Sequence, residues 1–178
     1  MRIGNHLQRS TATLLLALLL LGVSPPLPGQ TAPPSEPAPV AAPALDRALA
    51  GAQAAIAACA AQGWPHVAVT VLDSGGEMKA MLSADGTPPG PAVPRSAMKA
   101  ATALAYRIPS GEVQKRAAAD QALAAAVAAD PKLLPRAGGE PIVIAGTFLG
   151  AIGVSGAPGA DKDDLCALAG LAAISRSR

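Results

Sequence analysis

Between Leu45 and Gln62 the apolar side chains return every third or fourth residue, at Leu45, Leu49, Ala52, Ile56 and Cys59, until Gly63 ends the run. That spacing predicts a helix with those five residues on its inner face. At His66 the period changes. HVAVTVLD alternates β-branched and other residues, SGG supplies a turn, and EMKAMLSA runs back as a second strand, which together predict a β-hairpin. DGTPPGPAVP, residues 85–94, is too rich in proline and glycine for regular structure.

Helical spacing resumes over Arg95–Ile108, with Met98, Thr102, Ala105 and Tyr106 on or near one face. After Pro109-Ser110-Gly111 a further alanine-rich helix is predicted over Glu112–Ala129. GGEP at 138–141 restarts the chain. Ile142–Ala145 and Phe148–Ser155 then read as a second hairpin, turning at Gly146-Thr147 in a type II′ bend. Asp161–Ile174 closes the pattern with a helix. The order αββααββα, with two hairpins, predicts an α+β fold: one antiparallel sheet flanked by helices.

The first 43 residues follow another logic. Arg2 and Arg9 precede the apolar run Leu14–Val23, and small residues follow near Gly29, the order of a secretory signal that is too short to span a bilayer permanently. Residues 1–29 are read as that signal, 30–43 as an extended Pro/Ala tether, and 44–178 as one domain. The expectation is an exported protein, periplasmic or secreted, with no membrane segment after cleavage. A net charge of +2, with one Trp, one Tyr and one Phe, provides neither a basic stripe nor a stacking platform, which argues against nucleic-acid binding.

Export makes the cysteine pair informative. Cys59 and Cys166 either form a disulfide in an oxidising compartment or stay as two buried thiols. Ser96-Ala97-Met98-Lys99 has the S-x-x-K order of serine acyl-enzymes, but the companion S-D-N and K-T-G strings are missing. Ser155 stands in G-V-S-G-A rather than in a nucleophile elbow. No catalytic residue is assigned on either string. Metal ligation finds no support: Cys59, His66 and Cys166 have no zinc rhythm, and a calcium loop opening at Asp161 lacks its glycine and its terminal glutamate. Asp161, Asp163 and Asp164 read instead as caps for the helix they begin. The glycines at 146, 150, 153, 156 and 159 contain no phosphate-loop motif. Gly150 and Gly153 mark a strand left bare for close approach of backbone or ligand.

Taken as a set, VTVLDSGGEMKAML, SAMKAATALAYR and GGEPIVIAGTFLGAIGVSGAPGADKDDLCALAG resemble the GlcG/HbpS-like haem-binding family, to which the C-terminal domain of PduO-type corrinoid adenosyltransferases is related. The similarity runs from about Leu45 to Ile174, and its most specific part is Gly138–Asp164. The resemblance implies an α+β, commonly oligomeric domain that binds haem or a related tetrapyrrole without turning it over. The alternatives are a haem-degrading or other small-molecule enzyme and an oligomeric accessory module. It also implies a Cys59–Cys166 bridge, since exported members carry similar cysteine segments. Relatives often hold a histidine in the loop before the second helix, where this chain has DGTPPGPAVPRS. Ligand-binding candidates near such a pocket are Lys99, Met81, Tyr106, Arg95, Gly153 and Ser155, with Arg95 or Arg107 for propionates and His66 as an axial ligand.

Overall fold

The computed structural model describes residues 41–176. The expected signal, residues 1–29, and residues 30–40 of the tether lie outside the described residues. The elements are α1 (Leu45–Ala61), β1 (Ala68–Asp73), β2 (Met78–Ser83), α2 (Ala92–Tyr106), α3 (Ser110–Ala119), α4 (Gln121–Ala129), β3 (Gly139–Ile144), β4 (Thr147–Ser155) and α5 (Ala160–Arg176). Four strands form one antiparallel sheet in the order β2-β1-β4-β3. The fold is α+β with the order αββααββα, one of those helices being broken in two.

Helices cover both faces of the sheet. Val67, Val69, Val71, Ile142, Ile152 and Val154 pack against α1 and α5. On the other face Leu72 and Ala151 meet Ala100 and Ala103 of α2. All six residues of β1 are buried, so both halves of its alternation point into apolar layers. Under α2 the strand comes close enough that only glycine fits at position 153. A methyl there would collide with the carbonyl oxygen of Ser96 and lie 2.6 Å from the amide nitrogen of Ala100. What Gly153 admits is helix backbone, not ligand.

The inner face of α1 is rotated from the one expected. Ala48, Gly51, Ala52, Ala55 and Cys59 are buried, whereas Leu45 and Leu49 are 56% and 39% exposed. The reason is interhelical distance: Gly51 faces Gly170 of α5 so closely that a Cβ on Gly170 would lie 2.8 Å from the Gly51 carbonyl oxygen. Leucines on that seam would hold the two helices apart. The same close packing brings Cys59 and Cys166 to a Cα–Cα distance of 5.4 Å, and a disulfide joins them.

Four local readings are corrected. The helix expected over Glu112–Ala129 breaks at Asp120, which is extended and whose carboxylate accepts from the amides of Ala122 and Leu123, capping α4. The second hairpin turns at Ala145-Gly146, both at positive φ as a type I′ bend requires, rather than at Gly146-Thr147. Helix α2 begins at Ala92, inside the segment expected to be irregular, because Pro94 is tolerated in a first turn where its missing N–H costs nothing. Its buried face is Ser96, Lys99, Ala100, Thr102 and Ala103, leaving Ala105 exposed and Met98 and Tyr106 only half-buried. Finally, the last tether residues are tied down: Ala41 accepts a hydrogen bond from the Ser74 amide, and Pro43 is fully buried. Among the described residues no helix is long and apolar enough to cross a membrane.

Candidate ligand pocket

The sheet end at which β1 begins and β4 finishes is opposite both hairpin turns, and it opens into a cavity of about 510 Å³. Three kinds of segment enclose it. The proline-rich stretch 87–91 forms one wall, held against β1 by Thr87, whose hydroxyl donates to the Val67 carbonyl at 3.3 Å. The first turns of α2 supply Arg95 and Lys99, one helical turn apart on the same face. Opposite them lie Arg136, the end of β4 at Ser155, and the start of α5 at Asp163.

The floor is a buried ion pair. Lys99 Nζ donates to Asp163 Oδ2 at 2.6 Å and to the Val154 carbonyl at 3.1 Å, with the two side chains 3% and 6% exposed. Asp163 Oδ1 accepts from the Ala157 amide at 2.9 Å, which anchors the Gly156–Gly159 loop to α5. Burial pushes the Lys99 ammonium below its ordinary range and the Asp163 carboxyl above its own, while their mutual contact opposes both shifts. The Arg136 guanidinium lowers Lys99 further. Around the cavity three cationic side chains thus stand against one carboxylate, with His66 exposed at the rim and its Nδ1 3.4 Å from the Asp85 carbonyl.

Of the residues singled out from sequence, Lys99, Arg95, Ser155 and His66 come together on this cavity. Met81 does not: it sits exposed on edge strand β2, opposite Thr70. Tyr106 ends α2, two turns beyond Lys99, and Arg107 stacks 5.0 Å above the Phe148 ring. Ser96 of the S-x-x-K string is also committed elsewhere, donating to the Val93 carbonyl at 2.7 Å and bonded to the Thr70 hydroxyl at 2.8 Å. The acidic run at the start of α5 reaches across the fold rather than only capping its own helix: Asp163 holds Lys99, and Asp164 accepts from the Gly138 amide at 2.8 Å. Arg136, Asp163 as the partner of Lys99, and the proline wall were not anticipated. One signal was available for the pair: Lys99 stands in an alanine-rich helix with no acidic residue within a turn, so its partner had to come from elsewhere in the chain.

A carboxyl pair, Asp164 and Glu140, lies outside this cavity. Glu140 on β3 is buried beside Asp164 in a separate cavity of about 430 Å³. Burial first, then the charge of Asp164 and a hydrogen bond to it, push Glu140 up to about 8. The folded chain therefore keeps a proton that the unfolded chain releases near 4.5, and stability falls as pH rises from 4.5 to 8. E140Q removes that loss. The variant should match wild type near pH 4.5 and exceed it by on the order of 1–3 kcal/mol at pH 8.5, read from thermal melts at the two pH values.

Two helical layers around an antiparallel sheet, with a cation-rich cavity at one sheet end, define a small α+β pocket domain. Residues 44–172 match the family described as haem degrading protein HbpS-like, and the chain belongs to that family. It is similar to the crystal structure of HbpS at 34% identity, with a TM-score of 0.69 over 80% of this chain and 96% of that one. A double mutant of HbpS from Streptomyces reticuli is 32% identical, with the same TM-score, over 85% and 97% of the two chains. A PduOC–haem complex shares the fold at 19% identity and a TM-score of 0.66, over 74% and 94%. None of the curated protein sequences matches this chain.

Proposed function

We propose that the cavity binds haem or a related tetrapyrrole, and that the protein is an exported binding protein that does not turn its ligand over. The observation that carries this reading is the excess of positive charge: Arg95, Arg136 and Lys99 face a single carboxylate, Asp163, beside a proline-rich wall. A ligand with an apolar body and two carboxylates answers both features, and tetrapyrroles are such ligands. Arg95 and Arg136 would take the propionates in charge-assisted hydrogen bonds, and Pro88, Pro89 and Pro91 would lie against the ring. His66 offers an imidazole at the rim for iron. When bound, haem supplies a redox-active iron; the chain's part is to hold the ring, exclude water from it and neutralise its carboxylates.

Self-association fits the same account. Leu45 and Leu49 on α1, and Leu165 and Leu168 on α5, are exposed apolar side chains on two packed helices, which a homo-oligomer would cover. Turnover is the competing reading, because the family is described as haem degrading. Adding hemin to the purified protein, with ascorbate as reductant, separates the two. Binding without turnover predicts quenching of Trp64, the single tryptophan, that saturates at one hemin per chain, with a Soret band that persists. Progressive bleaching with release of a linear tetrapyrrole would establish the enzyme instead, and neither quenching nor a Soret shift would rule out both.

A further inference from the structure

Lys99 is more than a source of charge for this cavity. Its Nζ reaches the floor from α2 and makes two hydrogen bonds, to the Val154 carbonyl and to Asp163 Oδ2. A neutral amine has two protons to donate and one lone pair. In the neutral pair the Asp163 proton lies on Oδ2, because Oδ1 accepts from the Ala157 amide, and it bonds the Nζ lone pair; when that O–H turns to an incoming carbonyl oxygen, the lone pair is released to attack the carbonyl carbon. Asp163 is 2.6 Å away and is fixed on its other oxygen by the Ala157 amide, so it can accept or return a proton without moving. Burial favours the neutral form of both partners, and Arg136 favours it further for Lys99. An amine desolvated beside another cation is how a lysine becomes nucleophilic near neutral pH. Arg95 and Arg136 line the same cavity and suit a reactant that carries a carboxylate or phosphate.

We propose that Lys99 condenses reversibly with an anionic aldehyde or ketone in this cavity to form an imine. From the neutral pair, the Nζ lone pair adds to the carbonyl carbon, the C=O π pair moves to oxygen, and that oxygen takes the proton of the Asp163 carboxyl. The resulting ammonium returns one proton to Asp163, giving a neutral carbinolamine. The nitrogen lone pair then forms the C=N bond while the hydroxyl takes the Asp163 proton and leaves as water. The product is a protonated imine facing the Asp163 carboxylate, so the buried charge pair of the resting protein is regenerated. No oxidant or reductant is needed.

The test uses the full folded domain with pyruvate as the anionic ketone and cyanoborohydride to trap the imine, followed by peptide mapping. The expected result is one carboxyethyl group per chain, on Lys99, formed about tenfold or more faster than the adduct from acetone, which lacks the carboxylate. K99R keeps the cation opposite Asp163 and should lose the adduct while retaining the wild-type circular dichroism spectrum. The map of the wild-type protein stands without that variant: adducts spread over Lys79, Lys115, Lys132 and Lys162, with none on Lys99, would overturn the proposal. Equal rates with pyruvate and acetone would overturn its anionic selectivity.

Discussion

Removing the Cys59–Cys166 bridge lowers the stability of the domain by about 4–5 kcal/mol on the loop-entropy model, because the bond joins residues 107 apart in sequence and so constrains most of the unfolded chain. Both cysteines are buried on the α1–α5 seam, where Gly51 and Gly170 let the helices touch. A Cys59→Ala, Cys166→Ala variant keeps that seam nearly the same size, so its loss reports chiefly on the covalent link. Urea titrations of oxidised protein, of protein reduced with a phosphine, and of the double variant provide the check. The last two should unfold together at a much lower midpoint. Coincident midpoints for all three samples would mean that the bridge contributes nothing.

Lys99→Met costs about 3–5 kcal/mol, because it leaves the Asp163 carboxylate buried without its cation. The penalty has a pH signature. Burial already raises Asp163, and losing Lys99 raises it more, so protonation relieves the variant as pH falls and the deficit shrinks toward acid. Adding Asp163→Asn removes the charge while keeping an oxygen for the Ala157 amide. The pair K99M/D163N should therefore recover most of the loss, leaving roughly 1–2 kcal/mol for imperfect packing. A single variant as stable as wild type at pH 7, or a double variant no better than the single, would contradict the ion-pair account.

How much of this was legible in the sequence differs element by element. Both hairpins were readable, because HVAVTVLD and IVIAGTFLGAIGV change the period from helical to alternating at glycine-bearing turns. The inner face of α1 was not. A hydrophobicity count favours leucine for burial, whereas the seam is set by how near two backbones can come, which only the partner helix reveals. Asp120 looked like an interior residue of one helix until its carboxylate proved to cap a second. The pocket was partly visible: Arg95, Lys99, Ser155 and His66 were singled out from positions spread between 66 and 155 on the linear chain, yet their convergence needed the strand order β2-β1-β4-β3. The pairing of Lys99 with Asp163, 64 residues on, follows from α2 and α5 meeting the same strand end, and no local pattern encodes it.

The glycine series ending in three aspartates illustrates the same division. Its motif marked the family, but its parts act separately: Gly153 admits the backbone of α2, Asp163 closes the pocket floor, and Asp164 secures Gly138.

The central claim is that the cation-rich cavity at the β1–β4 end holds the carboxylates of a tetrapyrrole. Its most direct test is a Soret titration of hemin into wild type and into an Arg95→Ala, Arg136→Ala variant whose melting temperature is unchanged. The account predicts saturation at one hemin per chain in wild type and an affinity at least about a hundredfold weaker in the variant, from the loss of two charge-assisted contacts. Equal affinity in the two proteins, or no saturable binding in wild type, would contradict it.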